Sequence, residues 1–212
     1  MLKRQPGDSF DAGLINGPHG RGTLLAIGAD SLTLSFTWGG PPPPPEPVTL
    51  IIGLPRPQTA RDILRDGTTL GVAAIHFART DKGESSYAQS SLWTTGEWQR
   101  HLMTGAAQAF STLIPEVTHG QTLAEILSVL PAATLRLALD HYEAAAPLWS
   151  VRPKPSTPVV LALGPERGWS AVDRTLLRSH AFDLVHLGPR VLRCETAVIA
   201  ALTLVQAARE RP

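Results

Sequence analysis

The sequence predicts an α/β protein, a mainly parallel sheet with helices on both faces, preceded by a small β module. Three observations predict it. From Val48 onward, short apolar runs alternate with amphipathic segments, the pattern of strands separated by covering helices. Before that point the runs are short, alternating and punctuated by glycine, as in small antiparallel sheets. Between the two regimes lie Gly39-Gly40 and the five prolines Pro41–Pro45, whose composition favours a semi-rigid polyproline connection. The chain therefore divides into a module at 1–40, a linker at 41–47 and a larger domain at 48–212. Its 212 residues suffice for one good-sized domain and a small one.

Taken in order, Phe10–Asn16, Thr23–Ile27 and Leu32–Trp38 read as strands, joined by the turns at residues 16–22 and 28–31. The proline run is a spacer, or a docking segment for a proline-reading domain. Val48–Ile52 has the continuous apolar character of a buried strand. Pro57–Leu70 follows as a helix, with proline in its first turn and Gly71 as its stop. Val72–Ala78 is the next strand. Residues 95–111 predict a helix carrying Trp98, Leu102, Ala106, Ala109 and Phe110 on or near one face, and Leu123–Leu130 a shorter one. Leu135–Leu139, Val159–Leu163 and Asp183–Leu187 are three more strands. The helix from Ala171 to His180 is opened by Ser170 with Asp173 three residues on, an acidic form of the capping box. A last helix runs from Glu195 to Arg209.

Composition excludes several classes of function. No apolar run reaches the ~18 to 20 residues of a membrane span, and the segment Met1–Asp8 lacks the apolar stretch of a signal peptide, so a cytoplasmic location is expected. Cys194 is the single cysteine, which rules out an internal disulfide and a thiolate metal cage. No metal is expected. Net charge is +1, so bulk charge does not announce nucleic acid. Three lysines among 19 basic residues leave 16 arginines, the better residue for bidentate phosphate contacts, although base composition of the genome explains such an excess equally. The phosphate loop, the dinucleotide glycine fingerprint, the serine-hydrolase elbow and the zinc-protease helix motif are all absent.

Chemistry concentrates at two Gly-Pro turns. Gly164-Pro-Glu-Arg-Gly168 follows one predicted strand, and Gly188-Pro189 ends another. Glycines there let backbone N–H and C=O groups approach a flat ligand such as adenine; a tight turn needing positive φ accounts for either one taken alone. Two parallel strands deliver both turns to one carboxyl edge, where open α/β sheets bind ligands. Arg193 and Glu195 stand at the start of the last helix. The helix dipole favours Glu195 there, so a capping role is open to it. Arg193 is disfavoured by the same dipole, which points to a ligand or a carboxylate partner. Cys194 between them reads as a small buried apolar residue.

Three further constellations have two readings each. Asp140-His-Tyr-Glu143 follows a strand and is either catalytic, through His141, or a polar loop. Trp98, Arg100 and His101 suit base stacking and phosphate contact, while core packing accounts for Trp98. Arg56, Arg61 and Arg65 recur along one helix as a solvated face or a phosphate track.

Gly164-Pro-Glu-Arg-Gly168, Leu187-Gly-Pro-Arg-Val-Leu-Arg193 and Glu195-Thr-Ala197 closely resemble the last motifs of the RsmE family, 16S ribosomal RNA uridine N3-methyltransferases of the knotted SPOUT superfamily. Weaker matches precede them: the helix with Trp98, Arg100 and Gln108 leading toward Pro115, the Leu70-Gly-Val72 turn, and Pro6-Gly-Asp8 with Asn16-Gly-Pro18, which resemble an N-terminal RNA-binding barrel of PUA type. The resemblance covers nearly the whole chain, and its specific part is the C-terminal pair of motifs.

The resemblance implies a SPOUT-type sheet with a deep trefoil knot, whose loops hold S-adenosylmethionine in a homodimer, and a truncated PUA-like barrel. Pattern reasoning alone predicts against a knot. On the matching positions it implies Leu139, Leu163, Gly164, Pro165, Glu166, Gly168, Leu187, Gly188, Arg190, Leu192 and Thr196 as cofactor residues. It implies Arg193 and Glu195 as catalytic residues, and 16S rRNA or the small ribosomal subunit as partner, with Arg56, Arg61 and Arg100 as RNA contacts. The alternative is an RNA-binding or assembly protein that keeps the knotted dimer without catalysis. Two departures stand out. Arg167 occupies a position where the family usually has a second glycine, and the barrel lacks its opening strands, since the chain begins close to the family's Leu-Arg segment.

Overall fold

The computed structural model describes residues 4–209; residues 1–3 and 210–212, at the outer ends of the predicted first and last segments, lie outside it. Three strands, β1 (Ser9–Gly13), β2 (His19–Ile27) and β3 (Leu32–Trp38), pair antiparallel in the order β1-β2-β3. They form an open sheet. β1 ends earlier than its apolar pattern predicts because the chain turns at Asn16, which takes φ +54°, a conformation that asparagine tolerates. The Asn16 side chain also fastens the module to the larger domain, since its Oδ1 accepts the Ile114 N–H at 3.0 Å. Residues 41–45 carry no regular structure and lead into the main sheet.

That sheet has seven strands, all paired in parallel. β4 (Glu46–Gly53) and β5 (Val72–Arg79) flank helix α1 (Pro57–Thr69), and β6 (Glu116–Thr122), β7 (Leu135–Leu139), β8 (Ala146–Pro147), β9 (Val159–Leu163) and β10 (Asp183–His186) complete it. Their spatial order is β6-β5-β4-β9-β7-β10-β8. The other helices are α2 (Ser91–Thr94), α3 (Trp98–Gln108), α4 (Leu123–Ser128), α5 (Ala171–Ser179) and α6 (Cys194–Arg209).

The period-2 geometry of the strands divides the core into two layers. Val48, Leu50 and Ile52 of β4 and Val159, Leu161 and Leu163 of β9 face α1, α3 and α6, where Ile63, Leu64, Leu102, Val198 and Leu202 meet them. Ile51, Val160 and Ala162, one residue out of phase, face α4 and α5 through Ile126, Leu127 and Leu177. Helices therefore cover both faces, as predicted. Each such aliphatic side chain, fully buried, contributes about 1.5–3 kcal/mol from removal of apolar surface.

One predicted element changes. The helix expected at 95–111 shortens to α3 at Trp98–Gln108, and the short α2 lies just before it, with Gly96 (φ +74°) between the two. Phe110 lies past the end of α3 at φ +51°, so its ring leaves the helix face and is exposed instead of joining the core. Gly105 takes the buried place. A Cβ there would sit 2.2 Å from the Arg65 carbonyl oxygen, so its absence lets α3 cross α1 at close range.

One pairing has a topological consequence. β10 lies between β7 and β8, yet β8 belongs to the connection that leaves β7 and returns to β9 on the other side. The later strand β10 thus passes between β7 and the loop at residues 140–158.

Candidate functional site

The turn at residues 164–168 leaves β9 and the turn at 187–190 leaves β10. Because β9 and β10 are both parallel neighbours of β7, both turns reach the same edge. There they line one cleft of about 540 Å³, within the size range of small-molecule sites.

The first turn is built by close backbone packing. Gly168 has φ +67°, and a Cβ at Gly164 would lie 2.9 Å from the Gly168 carbonyl carbon and 3.0 Å from the Trp169 nitrogen. Gly53, at the end of β4, lies against Pro165 so tightly that a Cβ would come within 2.4 Å of it. Trp169 anchors the far end: it is buried, and its indole N–H donates to the Leu139 carbonyl at 3.0 Å. Glu166 accepts the Arg56 backbone N–H at 2.9 Å, tying the turn to the start of α1. Ser170 and Asp173 form the predicted reciprocal cap of α5, at 3.1 and 3.0 Å.

The second turn is held differently. Gly188 has φ +99° and donates its N–H to His186 Nδ1 at 3.0 Å, which makes that nitrogen the acceptor and puts the ring proton on Nε2. The chain then enters α6. Cys194 is buried beneath the cleft, and burial, with Glu166 and Glu195 nearby, pushes its thiol up to about 12. It is an inert thiol at neutral pH.

Most residues predicted for the cofactor line this cleft: Leu139, Leu163, Gly164, Pro165, Glu166, Gly168, Leu187, Arg190 and Leu192, along with Arg193 and Glu195. Gly188 shapes the turn from behind. Thr196 is exposed and is not among the lining residues. Arg193 and Glu195 form no ion pair with each other, and among the described residues Arg167, Arg190 and Arg193 have no carboxylate partner. The rim is thereby cationic.

The three arginines predicted for RNA separate. Arg56 stands exposed on the cleft rim. Arg61 spends two donors on Glu97, at 2.7 and 3.1 Å, which with His101 holds that carboxyl down at about 2, so the guanidinium is turned onto the helix α3 side. Arg100 is exposed on the outer face of α3, beside Met103, Thr104 and Gln108, away from the cleft.

Trp169 and His186, which local pattern did not assign, also line the site, together with Asp140, His141 and Tyr142 of the 140–143 constellation. Asp140 is fully hydrogen-bonded. Its Oδ2 accepts from Arg174 Nε at 2.7 Å, and its Oδ1 accepts the Tyr142 and Glu143 N–H groups at 2.8 and 2.6 Å. The 140–143 segment is thereby braced, and His141 and Tyr142 on it both line the cleft.

The cradle fits S-adenosylmethionine. Leu139, Leu163, Leu187 and Leu192 offer apolar surface, and glycine-rich backbone allows close approach to a flat ring. The unpaired arginines suit a carboxylate or phosphate.

A family model described as an RNA methyltransferase domain matches residues 42–206. Ribosomal RNA small subunit methyltransferase E of Treponema pallidum is 33% identical over 213 residues, covering 98% of this chain and 80% of that protein. The Synechocystis protein of the same name is 29% identical, covering 99% and 69%. Among solved structures, the Neisseria gonorrhoeae ribosomal RNA small subunit methyltransferase E bound to S-adenosyl methionine superposes with TM-score 0.80 at 22% identity, covering 97% of this chain and 85% of that one. A putative methyltransferase of Legionella pneumophila with bound cofactor superposes at 0.77 and 21%, covering 98% and 95%. With its parallel sheet, its paired glycine turns and this breadth of likeness, the chain belongs to the ribosomal RNA small subunit methyltransferase E (RsmE) family.

Proposed function

We propose that this protein is an S-adenosylmethionine-dependent methyltransferase of small-subunit ribosomal RNA, acting on N3 of a uridine. The observation that carries the reading is the meeting of both glycine turns in one cleft with Arg193 and Glu195 on its wall. When bound, S-adenosylmethionine supplies a methyl group on a positively charged sulfur, open to in-line displacement. Leu139, Leu163, Leu187, Leu192 and the backbone of the two turns are the residues that hold it. Glu166 acts by fixing the first turn to α1, and Gly188 by shaping the second.

Uracil N3 lies on the Watson–Crick edge, so the target base enters unpaired or flipped. Loss of its proton to solvent water leaves negative charge on the ring oxygens, and Arg193 is the donor assigned to them. Glu195, in the first turn of α6, steers the Arg193 fork toward the base once RNA fills the cleft. A carboxylate is a weak base for N3, so steering is the role given to Glu195.

The rest of the reading follows the family. The passage of β10 through the 140–158 loop is the trefoil knot, the molecule is a homodimer in the cytoplasm, and the partner is 16S rRNA within the small subunit. Residues 1–40, 41–47 and 48–212 are its RNA-docking module, standing in for a PUA-type barrel, its linker and its catalytic domain. Arg56 and Arg100 contact RNA phosphates.

Arg193→Ala tests the site. It is expected to keep cofactor affinity by calorimetry within about two-fold and to lose methyl transfer by about 100-fold or more. Undiminished transfer with cofactor bound contradicts the assignment.

A further inference from the structure

The loop that leaves β7 carries a charge network with no part in the chemistry above. Asp140 and Arg174 form an ion pair at 2.7 Å with side-chain exposures of 1% and 9%. Glu143 extends it, 3.4 Å from Arg174 and 2.7 Å from Arg178. Burying charge carries a desolvation cost, and Asp140 spends its remaining acceptor capacity on two consecutive backbone N–H groups. The result is a rigid loop between β7 and the cleft.

What this loop presents is Tyr142. The residue is 75% exposed, although it lines the cleft. The Arg174 guanidinium carbon lies 5.5 Å from its ring centroid, so one face of the ring rests on a buried cation. The ring edge stands beside Gly168, where a Cβ would lie 3.9 Å from Cε2. The His141 ring stands nearly perpendicular to that of Tyr142, 6.0 Å between centroids, and most of Tyr142 is open to solvent, so a ring braced in this way loses little side-chain freedom when a flat partner settles on it.

The setting favours RNA over cofactor as that partner. The cofactor cradle is backbone, leucine and Arg190, whereas the same cleft also carries Arg167 and Arg193, cations without carboxylate partners among the described residues. Phosphate contact beside base stacking is how proteins grip single-stranded nucleic acid.

We propose that Tyr142 is a substrate-specificity residue whose ring stacks on a base of the incoming RNA, the target uracil or its neighbour, with Arg174 and Asp140 as the positioning residues that hold it. The inference rests on the function proposed above.

The test uses full-length Tyr142→Ala and Tyr142→Phe, S-adenosylmethionine, and small ribosomal subunits from cells lacking this enzyme. Tyr142→Ala is expected to lower kcat/KM for the subunit about ten-fold or more, the size of a lost base–aromatic stack. Phe restores it to within about three-fold, because the ring does the stacking, and cofactor affinity stays within about two-fold in both. A fall in cofactor affinity with Ala, a change of oligomeric state, equal failure of Phe and Ala, or unimpaired Ala each overturns the proposal. Wild-type protein that methylates no subunit RNA refutes the function itself, whereas an active wild type with an unimpaired Ala variant refutes this inference alone.

Discussion

Asp140→Ala removes the carboxylate that braces the loop beside the cleft. The network has parts of unequal weight. Glu143 and Arg178 are 42% and 48% exposed in their side chains, so their pairing is worth about 0–1 kcal/mol in water. Asp140 and Arg174, at 1% and 9%, differ, because removing one partner strands a buried charge at a cost of about 3–5 kcal/mol. Glu143, 3.4 Å from Arg174, remains as a partial partner and draws the expectation toward the lower end. With a urea slope of about 2–3 kcal/mol/M, the midpoint falls by ~1–2.5 M. Asp140→Asn keeps an acceptor for the Tyr142 and Glu143 N–H groups while losing the charge, so its cost lies between. The double variant Asp140→Ala with Arg174→Met recovers stability relative to Asp140→Ala, since no orphan cation is left. Equilibrium urea unfolding, followed by circular dichroism, reads all of these. A loss below about 1 kcal/mol for Asp140→Ala, or a double variant no better than the sum of the singles, refutes the buried-pair argument.

Two more predictions concern the seating of the turn and the response to acid. In Gly53→Ala the new Cβ would meet Pro165 Cδ at 2.4 Å and the Pro165 nitrogen at 2.7 Å, and since backbone must yield, the 164–168 turn shifts. The overpacking costs about 1–3 kcal/mol, and calorimetry is expected to show cofactor affinity down about ten-fold; full affinity contradicts a rigid cradle. His76, bonded to Thr118 at 2.9 Å, has its pKa lowered from 6.5, chiefly by burial. Its folded value lies below its unfolded one, so its contribution is present above pH 6.5 and is lost as pH falls toward the folded value. Unfolding free energies from pH 8 to 5 are expected to decline below 6.5, less steeply in His76→Gln, with His119, more exposed but its pKa also lowered by desolvation, sustaining the rest; stability that rises on acidification contradicts the burial account.

Local pattern carried the strands and most helices because each obeys a short-range rule. β4 and β9 are continuous apolar runs with two buried faces, and α5 opens on a side-chain cap that depends on only four residues. β6 escaped for the same kind of reason. Glu116-Val-Thr-His-Gly-Gln-Thr122 lies at the sheet edge with a single neighbour, so it carries no apolar run to betray it. β8 is two residues long and is defined only by its distant partner, β10. Phe110 misled because helical spacing was extended past the point where the backbone turns to positive φ.

The site divides along the same line. The two glycine turns were legible because conformations of this kind demand glycine, and a parallel sheet brings such turns to one edge. Trp169 and the bracing of Asp140 were not, since each acts through a partner about thirty residues away, Leu139 in one case and Arg174 in the other. Arg61 shows the converse. Its sequence spacing suits phosphate, but Glu97, brought near by the packing of α3 on α1, takes the guanidinium first. Nor does hydrophobic periodicity record which side of β7 a later strand occupies, so the passage of β10 emerges only from the pairing.

The central claim is methylation of a small-subunit uridine at N3, and mass spectrometric mapping of 16S rRNA from cells with and without this protein tests it most directly. The account predicts that one uridine loses a single N3 methyl group in the cells without it and regains it when purified protein and S-adenosylmethionine are added to their small subunits. Identical modification maps from the two kinds of cell, with no methyl acquired on addition, would contradict it.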